Sequence, residues 1–148
     1  MRGHGDVLAA PPAEDIGPPV VIVTPSRTLP RESFVDFGRM VASVAAADAR
    51  RVGFIASCDW GHAHASGGPY GFHEEAARVD AEVVSAVAEN DLMRLIDLDE
   101  GRARDAYIDG LWQALMLAGA FEEFPMNVDL LSYEAPTYYG MLVATWES

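Results

Sequence analysis

Apolar residues along the chain follow two spacings. Val20-Val21-Ile22-Val23 is a short β-branched run bounded by prolines, and Val52-Gly53-Phe54-Ile55-Ala56-Ser57 is a second continuous run; both read as buried strands. Between them Phe34, Phe37, Val41, Val44 and Ala45 recur every three or four positions and predict a helix over 31–49. Val79, Val83, Val84 and Val87 predict a helix over 74–89. Ala106, Leu111, Leu115 and Leu117, with Trp112 and Met116 beside them, predict another over 101–118, with Gly119 as its stop. A short helical piece is expected at 90–95. Val128–Tyr133 and Tyr139–Trp146 read as closing strands on either side of Pro136. Strands separated by helices of about 15 residues predict an α/β fold, a mixed sheet flanked by helices.

Residues 1–17 stand apart. Pro11 and Pro12, with Pro18 and Pro19 just beyond, lie among small and acidic residues, so this stretch reads as a loose N-terminal segment before one domain spanning 18–148. At 148 residues, half of them hydrophobic, the chain has enough material for one real core.

Charge narrows the partners. The formal net charge is -13, and all ten basic residues are arginine. Such a surface is repelled by phosphate backbones, so nucleic acid is an unexpected partner. The single cysteine excludes an internal disulfide framework and a four-cysteine zinc site. No apolar run approaches the ~20 residues of a membrane span, and the first residues lack a signal-peptide pattern. A cytoplasmic protein with no membrane partner is expected.

The loop from Cys58 to His73 carries the candidate chemistry. It holds His62, His64 and His73 among glycines, directly after an expected strand. Ligands in open α/β sheets bind outside the carboxyl ends of strands. His62 and His64 are two apart, so locally extended chain would turn both imidazoles to one side, toward a metal or a substrate. Solvated rings or local hydrogen bonds are the competing reading. Asp59 could orient a ring by accepting its N–H. His73 precedes Glu74 and Glu75 and reads as a helix-capping neighbour, while Cys58 reads as a buried, inert thiol. His4 lies in the loose segment and reads as solvated. Trp60, Tyr70, Tyr138 and Tyr139 are candidates for an aromatic wall or for core packing. A zinc hydrolase using His62, His64 and a carboxylate is a weaker reading, because no H-E-x-x-H spacing is present.

The segment VGFIASCDWGHAHASGGPYGFH resembles the class III extradiol ring-cleavage dioxygenases, in their catalytic (B) subunit superfamily. So do LLSYEAPTYYGMLVA near the C-terminus, DGLWQALMLAGA before it, and VVIVTPSRTLPRESFVDFGRMVASVAAADARR upstream. The resemblance covers about residues 18–146 and corresponds to the C-terminal half of that family. It implies a partial version of the family fold and Fe(II)-dependent opening of a catechol-type ring with O₂, in the catabolism of aromatic compounds. Iron in the family is held by two histidines and a carboxylate. By position, His62 matches the family's acid–base histidine and Asp109 falls where the family places its iron carboxylate; Glu134 is the rival carboxylate. His64 and Tyr70 are the expected substrate-binding residues.

The departure from the family is as informative. Its two iron histidines lie upstream of everything matched, where this chain offers only His4. The expected activity therefore needs a complementing N-terminal half. The alternative is a non-catalytic binding or interaction domain of the same fold that has lost the iron site. An incomplete sheet would expose an apolar edge, so a homo-oligomer is also expected.

Overall fold

The computed structural model describes residues 18–147. These form a mixed α/β arrangement: helices α1 (Arg31–Ala47), α2 (Glu74–Ala88), α3 (Glu100–Asp105) and α4 (Leu111–Glu123), a short 3₁₀ helix over Leu92–Asp97, and strands β1 (Asn127–Glu134) and β2 (Met141–Glu147). The expected segment at 1–17 lies outside the described residues.

Local chemistry sets the helix ends. The His73 ring accepts the Glu75 backbone N–H and caps α2, with Glu74 and Glu75 in the first turn where acids suit the dipole. Asp99 caps α3 by accepting the Arg102 N–H. The helix expected over 101–118 is two helices. The break falls at Tyr107, whose φ of 51° is left-handed and cannot continue a right-handed helix. Gly119 does not stop α4, which runs on to Glu123.

α4 is the central element. Leu111, Ala114, Leu115, Met116, Leu117, Ala118 and Gly119 are all buried, as befits a helix that is apolar nearly all round. α1 crosses it closely, and Gly119 is there for contact: a Cβ at this position would collide with the Val35 carbonyl, and one at Gly38 would collide with the Met116 carbonyl. This crossing rotates the buried stripe of α1 to Phe34, Val35, Gly38 and Ala42, leaving Val44 exposed. The Arg31 guanidinium ties the start of α1 to the Ile96 and Leu98 carbonyls, at 2.8 and 2.5 Å.

The two expected closing strands pair antiparallel, from Asn127 opposite Glu147 to Glu134 opposite Met141, with an irregularity between Leu130 and Ser132. Val128, Leu130, Leu142, Ala144 and Trp146 pack one face of this hairpin on the core. The other two expected strands do not form. Residues 20–23 and 52–57 are unpaired among the described residues. They are also not buried: Val21, Ile22 and Ile55 are 89%, 87% and 90% exposed. A strand interior to a parallel sheet needs hydrogen-bonding neighbours and covering helices, and the described residues supply neither.

The α1–α4 crossing gives a stability prediction. Gly119→Ala should lower unfolding free energy by about 3 kcal/mol, the upper range for overpacking, because the obstructing atom is backbone and cannot swing aside. Urea denaturation checks this; a loss below about 0.5 kcal/mol would contradict the close crossing.

Candidate active site

The chain from Trp60 to His64 runs beside the β1–β2 connection, with a bend at His62. Trp60 N–H donates to the Gly140 carbonyl, Gly140 N–H to the Gly61 carbonyl, and His64 N–H to the Tyr138 carbonyl. Residues two apart in an extended chain face the same way, but the chain bends at His62, and His62 and His64 find different partners.

His62 lines a cleft of about 580 Å³ with Arg27, Arg31, Tyr70, Tyr107, Asp109 and Trp112 among its neighbours. Its Nδ1 lies 2.9 Å from the Tyr107 carbonyl oxygen. A carbonyl only accepts, so Nδ1 carries the proton and Nε2 is left with a free lone pair. Nε2 sits 3.7 Å from Asp59 Oδ2, which places a negative charge close to any proton taken up there. The ring is 13% exposed. It stacks on Tyr139 at 5.6 Å between centroids and meets Tyr70 edge-on at 5.8 Å, with Tyr138 at 6.0 Å. The Tyr107 carbonyl that orients it belongs to the residue with left-handed backbone, so a local strain coincides with a functional-looking contact.

Arg27 and Asp109 form an ion pair on the cleft wall, and the Arg27 guanidinium lies 4.7 Å from the centre of the Trp112 ring. The cleft therefore joins a cation, aromatic faces and an imidazole with a free nitrogen.

His64 is placed elsewhere. Its Nε2 donates to Asp80 Oδ2 at 2.8 Å, away from the cleft lining. Glu134 ends β1 and does not line the cleft. His73 is the α2 cap. His4 lies outside the described residues. The Cys58 thiol approaches the Gly110 carbonyl, and burial, with the Asp59 charge in second place, pushes it up to about 12. Asp80, fully buried behind the His62 segment, is the acid that a reading for apolar periodicity passes over. The signal was its position on the buried stripe of α2, between Ala76 and Val83.

The chain matches no protein-family model and no curated protein. The site is therefore argued from its own geometry.

Fe(II), which the resemblance implies, calls for two imidazoles and a carboxylate. Among the described residues no three His, Cys, Asp or Glu side chains are grouped to hold a metal ion. Asp109 is engaged by Arg27, His62 Nδ1 by a carbonyl, and His64 by Asp80. The described residues do not by themselves fit an iron centre. Among them, too, no helix is long and apolar enough to cross a membrane.

Two partly buried weak acids titrate late. The Cys58 thiol is raised from 9.0, and the Tyr133 hydroxyl is raised above 10.0 by burial and then by its bond to Asp80. Both favour the folded state while neutral, so their contribution is complete below about pH 9 and is lost as pH rises beyond it. The urea midpoint should fall between neutral pH and about pH 10.5, and Cys58→Ala should fall less steeply over that interval. Equal slopes for the two proteins would contradict the burial of the thiol.

Proposed function

We propose that this chain carries the acid–base side of an extradiol-type ring-cleavage site, in a partial version of that dioxygenase fold. Its substrate is an aromatic diol opened with O₂. In this reading histidines of an N-terminal complement or a partner chain would hold Fe(II), which would supply the activation of O₂.

The observation that supports the reading is the His62 imidazole, oriented by the Tyr107 carbonyl at 2.9 Å so that Nε2 is the free base beside an aromatic, arginine-bearing cleft. Nε2 can take a proton from a diol hydroxyl and later return it, and Asp59 stabilises the imidazolium in between. Tyr70 and Trp112 line the cleft and give a planar substrate apolar walls. The Arg27 guanidinium can turn from Asp109 to the oxygen that has lost its proton. The unpaired apolar runs at 20–23 and 52–57 favour the same reading, since a complementing sheet would satisfy their backbone.

The second reading, a binding domain of the same fold without iron chemistry, is favoured by one contact: Arg27 brings Asp109 the positive charge that a metal would otherwise bring.

The test is opening of a catechol in air with Fe(II), followed as the yellow ring-opened product, in the chain combined with its complement. His62→Gln should lower the rate about 10²–10⁴-fold, the usual worth of a positioned acid–base group. An unchanged rate in the variant would contradict the role of His62. Catechol binding with no ring opening by the complemented wild type would favour the binding domain.

A further inference from the structure

Asp80 lies outside the cleft, and no step above uses it. Its carboxylate has no exposure to water, yet three donors from two other parts of the chain converge on it. Gly61 N–H reaches Oδ1 at 2.7 Å. The His64 imidazole reaches Oδ2 at 2.8 Å, and the Tyr133 hydroxyl reaches Oδ2 at 2.6 Å. A carboxylate without its proton is an acceptor only, so these donors match it in kind.

The donors are placed to matter for His62. Gly61 and His64 bracket it in sequence, so both ends of its short segment are fastened to one rigid helix position. Tyr133 belongs to β1, and the connection that follows β1 carries Tyr138 and Tyr139, the rings that pack on His62. The same carboxylate therefore holds the imidazole's backbone and the aromatic wall against it. Gly140 completes the fit: a Cβ there would collide with Asp80 Oδ2.

We propose that Asp80 is the positioning residue for His62, its buried carboxylate locking the 61–64 segment and the β1–β2 connection together so that Nδ1 stays on the Tyr107 carbonyl and Nε2 stays free. The inference rests on His62 being the acid–base group of the proposed site. Its consequence is a tautomer. An unrestrained imidazole in water prefers the proton on Nε2, the opposite of what the Tyr107 carbonyl selects.

The experiment is ¹⁵N NMR of the histidine side chains in the wild type, Asp80→Asn and the milder Tyr133→Phe, with circular dichroism showing that each is folded. Wild-type His62 should be mainly the Nδ1–H form. That form should fall at least about twofold in Asp80→Asn and by less in Tyr133→Phe. Should Asp80→Asn fail to fold, Tyr133→Phe decides. An unchanged His62 tautomer in the folded variants overturns the inference. The readout needs no turnover, so a wild type that holds the Nδ1–H form but opens no ring would count against the proposed activity and not against Asp80.

Discussion

Asp80 places a negative charge in an interior otherwise built from Val79, Val83, Leu95, Leu111 and Leu115. Burying a carboxylate costs several kcal/mol, and the cost is offset only where the partners are all in place. That condition is stringent. It requires the Gly61 amide, the His64 ring and the Tyr133 hydroxyl to arrive together, so the loop after Ser57 and the β1–β2 hairpin must dock on α2 in one register. Removing one partner of such a group typically costs about 3–5 kcal/mol. The arrangement is thus a strong selector of a single loop geometry, whatever its net effect on stability.

That geometry separates two histidines that look equivalent on paper. His64 spends its Nε2 proton on Asp80 and becomes part of the frame. His62, two residues earlier, is left with one nitrogen committed to a carbonyl and one free. Its neighbours are chemically mixed. Tyr70, Tyr138 and Tyr139 exclude water from the ring, while Asp59 and the Arg27–Asp109 pair bring charge to the cleft edge. An imidazole nitrogen without a partner, aromatic side chains and a guanidinium thus line one cleft.

Much of this was legible in the residues, and the failures have physical causes. The helices at 31–47 and 74–88 and the closing hairpin follow from spacing, with the His73 cap added on the second, since those signals are local. His62 and Tyr70 stand together in the cleft as their shared loop suggested, and Asp109 joins them across the α3–α4 break. His64 leaves the cleft because the two-apart argument assumes extended chain, and the chain bends at His62. Asp80 was hidden by its neighbours: an acid on an apolar helix stripe is visible only when the stripe is known to be buried. The strands at 20–23 and 52–57 failed for a different reason. Their sequences are strand-like, but a strand is a relation between two segments, and the described residues offer no partner to either. Their exposed Val21, Ile22 and Ile55 mark where such a partner would bring the largest gain in apolar burial.

The central claim is that the cleft beside His62 receives an aromatic diol. Titration of the labelled chain with catechol, read by NMR at the side chains, tests it most directly and requires no iron. The account predicts saturable shifts at His62, Tyr70, Tyr107 and Trp112, with the His64 and Tyr133 signals unmoved. Shifts confined to other surfaces, or none at catechol concentrations up to about 10 mM, would contradict it.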